Sequence, residues 1–371
     1  MIRGKAIYLS PPAFDEGLFD LEKLDQPEKV LLEFESAVSE FTGRKNGVAL
    51  NSGTAAIHLA IKVLGIKEGD VILCQSFTYA ATAFPICYEG AIPVFIDSEP
   101  ETWNMDPVLL EKACQEWINK GNKPSAIMLV DLYGVPANMD KVLEIAVRYE
   151  IPVIEDAAEA LGSTLEGKPC GSFGDISIFS FNSNKIVTSS GGGMLLTDQK
   201  DYAQKALYYA TQAKDPGVNL THREVGFNYR MSHINAAVGN RQFQSLQSRI
   251  QSRRSNHDRY EKLVEGIQGV SLLAEPPGCF TNRWLTTILI DPEKTGGITR
   301  EDLRLALEAD NIEARPLWKP MHLQPVFKDA KAYVNGISER LFEQGLCLPS
   351  GSNLTEDDLE RISKVVKGVF G

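Results

Sequence analysis

The chain has 371 residues, 43% hydrophobic and 23% charged, with a formal net charge of −11. That length suits one large domain plus a smaller one, and the acidic balance argues against a nucleic-acid binder, which carries a basic patch. No apolar run approaches a membrane span and the opening MIRGKAIYLSPPAF is not expected to be a signal peptide, so the cytoplasm is the expected compartment. Residues 30–65 read as helical on either side of NGVALNSGT, a short strand and a turn. Apolar runs then follow at VILCQSF (71–77), AIPVFID (91–97), PSAIMLVDLYG (124–134) and IPVIEDAAEA (151–160). Helical patterns alternate with them in TYAATAFPICYEG, PVLLEKACQEWINK and MDKVLEIAVRYE. Strands buried on both faces and alternating with helices imply a parallel sheet with crossover helices. DISIFSF (175–181) and GGMLLT (192–197) add two strands.

The pattern changes near residue 230. One long polar helix is expected over INAAVGNRQFQSLQSRIQSRRSNHDRYEKLVEG, then a strand in NRWLTTILID, a helix in TREDLRLALEADN, a short strand in EARPLW and a last helix in TEDDLERISKVVKGVF. This reads as a large domain over 1–240 and a smaller α+β domain over 241–371. The six cysteines, Cys74, Cys87, Cys114, Cys170, Cys279 and Cys347, form no CxxC and are expected as free thiols. The five histidines show no metal-ligand spacing.

Four features carry chemistry together. NSGTAA (51–56) is a strand-to-helix turn whose free amides and Thr54 hydroxyl suit an anion, although Ser, Gly and Thr also cap ordinary helices. Asp156 ends an apolar strand, where a carboxylate is costly unless paired; it is either a helix cap or the partner of a cationic ring nitrogen. Lys185 follows the next apolar strand beside Ser180, two asparagines and the run Gly191 to Gly193. Most lysines are solvated, but an amine crowded into such a turn suits a Schiff base with a carbonyl or with pyridoxal phosphate. Tyr79, just past a strand end in SFTYAATA, is either a core residue or a face for a planar ring.

At these residues the sequence resembles the DegT/StrS-type sugar aminotransferases, of the aspartate aminotransferase fold (fold type I). The resemblance covers nearly the whole chain, through ALNSGTAAIHLA, SFTYAATAFPICYEGAIPVFID, LYGVPANMD, EDAAEALGS, FGDISIFSFNSNKIVTSSGGGM, GFNYRMSHINAAVG, NRWLTTILI, ARPLWKPMH and GLCLPSG. It implies a mostly parallel central sheet flanked by helices, with a smaller C-terminal α+β domain, and pyridoxal phosphate as cofactor. It makes Lys185 the residue that bonds the cofactor and moves protons, and Asp156 the partner of the pyridine nitrogen. Gly53, Thr54, Ala55 and Ser180 would bind the phosphate, Tyr79 would stack on the ring, and Glu159 would lie near the cofactor hydroxyl. Asn228 would reach the phosphate of the neighbouring subunit's cofactor, which implies a homodimer. Arg315, Pro316, Leu317, Trp318, Lys319 and His322 would line the sugar-nucleotide pocket. The matching branch is that of the 4-aminotransferases acting on UDP-4-keto-6-deoxy-N-acetylglucosamine in the bacillosamine pathway, with L-glutamate as donor. The alternatives are a 3-aminotransferase on a dTDP- or GDP-linked keto sugar, a dehydratase, and a non-catalytic regulator. The last two are expected to lack the lysine or the aspartate. One segment, FDEGLFDLEKL with LDQPEKVLLEFE (24–35) after it, departs from the family pattern and bears on the substrate.

Overall fold

The computed structural model describes residues 4–13 and 26–371. The departing segment falls largely on residues 14–25, outside the described residues, and its remainder opens the first helix. The elements up to the cofactor-type turn are α1 (Pro27–Thr42), β1 (Asn46–Leu50), α2 (Gly53–Val63), β2 (Val71–Gln75), α3 (Ala80–Tyr88), β3 (Ile92–Ile96), α4 (Pro107–Asn119), β4 (Ala126–Val130), α5 (Met139–Tyr149) and β5 (Val153–Asp156). Then come β6 (Thr164–Leu165), β7 (Lys168–Pro169), β8 (Ile176–Ser180), β9 (Gly193–Thr197), α6 (Lys200–Ala210), α7 (His233–Phe243) and α8 (Leu246–Val264). The last part holds β10 (Val270–Leu272), β11 (Cys279–Phe280), β12 (Thr286–Ile290), α9 (Arg300–Ala309), β13 (Arg315–Pro316), β14 (Ala332–Tyr333), α10 (Ile337–Gln344), β15 (Gly345–Leu348) and α11 (Glu356–Phe370).

Eight strands form the main sheet in the order β1-β9-β8-β5-β4-β2-β3-β14. From β8 to β14 all neighbours are parallel; β9 runs antiparallel to both β8 and β1. The period of two along a strand explains the layers. In β2, Ile72 and Cys74 pack with α2, α3 and α6, while Val71 and Leu73 pack with α4 and α5. Parallel strands covered on both faces are apolar almost throughout, as VILC and AIMLV are, and the buried Gln75 that ends β2 is hydrogen-bonded to Asn104 and to backbone. A four-stranded antiparallel sheet, β10-β12-β15-β13, packs with α8, α9 and α11 around a separate core. Of these helices, α9 and α11 start on reciprocal caps, Thr299 with Asp302 and Thr355 with Asp358.

Three features differ from expectation. The long polar helix is two helices, α7 and α8, parted at Gln244 and Ser245. Ser245, at φ −95° and ψ 5°, leaves helical geometry and parts them, while Phe243, edge-on to Phe41 of α1 at 5.5 Å, and Leu246 both pack on the main core. Second, β14 lies beyond residue 240 yet adds an edge to the main sheet, with Ala332 opposite Phe95 and Tyr333 opposite Ile96. Third, Ile7 bridges to Ile312, so the start of the chain packs with the C-terminal part. The expected boundary at 240 falls within α7, and both β14 and the Ile7 bridge join segments from its two sides. All six cysteines are free thiols. Among the described residues no helix is long and apolar enough to cross a membrane.

Candidate active site

Parallel strands bring their carboxyl ends to one edge, and ligands of such sheets bind there. Residues at or just past the ends of β2, β4, β5 and β8, with the start of α2, border a cavity of ≈ 320 Å³. Ser52 caps α2: its hydroxyl accepts from the Ala55 amide at 3.0 Å and its carbonyl from the Ala56 amide at 3.1 Å. The Gly53 and Thr54 amides precede the first helical bond and have no such partner, so a partial positive charge faces the cavity. Close packing builds this end. A Cβ on Gly193 would overlap the Ser52 backbone, and one on Gly53 would stand 3.1 Å from the Ser180 Cβ. The glycine at 193 thus lets the start of β9 lie against the helix cap.

Asp156 ends β5 and is 4% exposed. The Thr82 hydroxyl donates to its Oδ2 at 2.7 Å and the Ala158 amide to its Oδ1 at 3.1 Å. Burial pushes its carboxyl above the usual range, against these two bonds and the Lys185 charge. Lys185 stands in the turn between β8 and β9. Its Nζ is 3.5 Å from Glu159 Oε1 and 4.1 Å from the centre of the Trp284 ring. Glu159, also buried, accepts from the Tyr133 amide at 2.8 Å, and burial raises its carboxyl against Lys185 and that amide. Tyr133 holds a left-handed backbone (φ 55°) to make this bond, and its hydroxyl accepts from the Trp318 amide at 3.0 Å. Trp318 lies between Tyr79, at 5.3 Å, and Tyr133, stacked at 6.1 Å, so an aromatic wall closes one side.

Gly53, Thr54, Tyr79, Asp156, Glu159, Ser180, Lys185 and Trp318 all line the cavity. The other residues named from the sequence stand elsewhere. Ala55 is behind the helix end with its amide taken by Ser52. Asn228 is exposed and outside the cavity; its carbonyl accepts from Asn51 at 3.1 Å. Arg315 pairs with Glu313 at 2.7 Å, Leu317 is buried, and Pro316 and Lys319 lie off the lining. The His322 ring is held between Ser76 Oγ at 2.7 Å and Glu339 at 3.2 Å. Thr82, Tyr133 and Trp284 were not singled out from the sequence. The signal for Thr82 was available: it lies one turn after Thr78 in SFTYAATA, and the two hydroxyls meet at 2.8 Å.

The residues fit a phosphorylated pyridine aldehyde group by group. The α2 end and the Ser180 and Thr54 hydroxyls suit a phosphate, the buried Asp156 carboxyl suits a protonated ring nitrogen, and the Lys185 amine suits an aldehyde carbon. Fold and site together define the class, a pyridoxal phosphate-dependent enzyme of the aspartate aminotransferase fold. Known proteins narrow this. The family model described as the DegT/DnrJ/EryC1/StrS aminotransferase family matches residues 20–367. EpsN of Bacillus subtilis is 45% identical over 99% of this chain and 96% of its own length. GDP-perosamine synthase of Caulobacter vibrioides is 37% identical over 90% of this chain and 88% of its own. The crystal structure of DesI with its TDP-sugar product superposes with a TM-score of 0.88 at 27% identity, over 98% and 93% of the two chains. The chain belongs to the DegT/DnrJ/EryC1/StrS aminotransferase family and is a pyridoxal phosphate-dependent transaminase.

Proposed function

We propose that this enzyme transfers an amino group from L-glutamate to C4 of a nucleotide-linked 4-keto-6-deoxy sugar, with UDP-4-keto-6-deoxy-N-acetylglucosamine as the acceptor. The observation that carries the chemistry is the opening of Lys185, Asp156 and the free end of α2 into one cavity. The sugar-nucleotide part draws support from the relatives, two of which are named for GDP-perosamine and for a TDP-sugar product. The 4-amino assignment and the UDP-linked acceptor rest on the resemblance of ARPLWKPMH and EDAAEALGS to the bacillosamine branch. A GDP-linked acceptor is the second reading, favoured by the 37% identity to GDP-perosamine synthase.

Pyridoxal phosphate, when bound, supplies the electron sink that lets the donor α-carbon lose a proton. The chain supplies the rest. Gly53 and Thr54 amides, with the Thr54 and Ser180 hydroxyls, hold the phosphate at the helix end. Asp156 keeps the ring nitrogen protonated, and that positive partner offsets the cost of its own burial. Glu159 faces the cofactor hydroxyl, and Tyr79 covers the ring and shields it from water. Lys185 Nζ would hold the cofactor at rest; once released it would move the donor α-carbon proton to the cofactor C4′ in the first half-reaction, and would move a proton from that position to the sugar C4 in the second. Trp318 extends the aromatic wall to the acceptor, and Lys319, exposed beside it in sequence, meets the diphosphate. Asn228 completes the phosphate site of a second copy, in a homodimer. Incubation with L-glutamate and each of the UDP-, GDP- and dTDP-linked keto sugars, with products identified by NMR, tests this. Amination at C4 of the UDP-sugar is expected. Preference for the GDP-sugar moves the assignment to the second reading, and no amination of any of them contradicts both.

A further inference from the structure

The carbonyl of Asn184, the residue before Lys185, accepts two side-chain hydrogen bonds. Trp284 Nε1 donates at 2.9 Å and Ser10 Oγ at 2.7 Å. The same indole turns its face to Lys185, with Nζ 4.1 Å from the ring centre and Glu159 Oε1 3.5 Å from Nζ. Trp284 therefore meets the lysine turn with its edge and the lysine amine with its face. The indole has little freedom of its own, being 1% exposed. Its amide donates to Asn282 Oδ1 at 2.9 Å and its carbonyl accepts from Arg253. Arg253 also donates to Ser10 Oγ at 2.9 Å, so both donors to Asn184 are tied to one buried guanidinium. One turn earlier on α8, Arg249 donates to the Ile186 carbonyl at 3.2 Å. None of these side chains belongs to the β5-β8-β9 frame that carries Lys185. They come from the start of the chain, from α8 and from the segment before β12.

We propose that Trp284 is a positioning residue for Lys185, a role that rests on the transaminase reading. Its edge fixes the turn, and its face holds the freed Lys185 Nζ beside Glu159 whenever the bond to the cofactor is open. A cation over an indole face, next to a carboxylate, is retained in place without being buried unpaired. The lysine leaves the cofactor in the glutamate half-reaction and returns to it only at the end of the sugar half-reaction, so a fixed resting place shortens its return.

Trp284→Phe keeps a ring face and loses the donor; Trp284→Leu loses both; Ser10→Ala removes the second donor to Asn184. The readouts are the rate at which cofactor-free protein gains its visible band on mixing with pyridoxal phosphate, kcat and KM for glutamate, and the melting temperature. Capture and kcat are expected to fall about 10-fold or more in Trp284→Leu and less in Trp284→Phe, with KM for glutamate held, while the melting temperature falls in Trp284→Leu because of the cavity it leaves. Wild-type capture and kcat in Trp284→Leu overturn the proposal. If that variant does not fold, Trp284→Phe and Ser10→Ala decide: slower capture at the wild-type melting temperature supports it, and wild-type capture in both overturns it. Lys185→Ala is run alongside. A band that persists in Lys185→Ala overturns the transaminase reading itself, whatever the Trp284 variants do.

Discussion

At the scale of single residues, two groups dominate: a lysine amine and a buried carboxyl. Lys185→Arg keeps the charge and removes the transferable proton, so the rate of the glutamate half-reaction is expected to fall by at least about 100-fold. Single-turnover kinetics check this. Thr82→Val removes the hydroxyl that donates to Asp156 Oδ2 at 2.7 Å. A hydrogen bond to a charged group contributes about 1.5–3 kcal/mol, so pyridoxal phosphate should bind about tenfold more weakly or worse, measured by spectral titration. Lys185 and Asp156 were legible in the sequence because each follows an apolar strand, and parallel strands end at one edge. Trp284 was not. Its meeting with Lys185 spans 99 residues of sequence, and nothing in the local pattern of NRWLTT points to a distant lysine.

Among the elements, the contact between β9 and the start of α2 decides whether an anion can be held. Gly193→Ala would push a Cβ into the Ser52 backbone and displace the cap. The expected outcome is loss of pyridoxal phosphate affinity greater than that of Ser52→Ala, which removes only the cap bond and costs about 1 kcal/mol of stability. Chemical denaturation and cofactor titration of both variants check the order. Most elements were legible because continuous apolar runs and amphipathic helices leave a periodic signal. β14 left none: two residues are too few to show a period, and Ala332 and Tyr333 join the sheet only because β3 offers a free edge. The break at Gln244 and Ser245 was hidden for another reason. Both residues are tolerated in helices, and Ser245 leaves helical geometry (φ −95°, ψ 5°) with no glycine or proline to announce it.

For the whole molecule, His257 of α8 links stability to pH. Burial lowers its imidazole from 6.5 to about 4, reinforced by Arg283 and Arg254 and opposed by Asp258 and Glu275. The unfolded chain takes up that proton at higher pH than the folded one. The contribution is therefore full above about pH 6.5 and is lost as pH falls toward 4, amounting to about 2 kcal/mol between pH 7 and pH 5. His257→Asn should flatten the denaturation midpoint over that window. Assembly is testable in the same direct way. If Asn228 serves the partner's site, mixed dimers of Lys185→Ala and Asn228→Ala contain one intact site. Activity then rises when the two poor homodimers are mixed and subunits exchange, and does not rise if Asn228 serves its own site.

The central claim is that Lys185 and Asp156 run a two-stage amino transfer through pyridoxal phosphate. The absorption spectrum of the purified protein tests it most directly, recorded with the cofactor, after adding L-glutamate, and again after adding the UDP-linked keto sugar. The account requires a visible band that glutamate bleaches and the keto sugar restores, absent in Lys185→Ala. A band that glutamate leaves untouched, or that survives in Lys185→Ala, contradicts it.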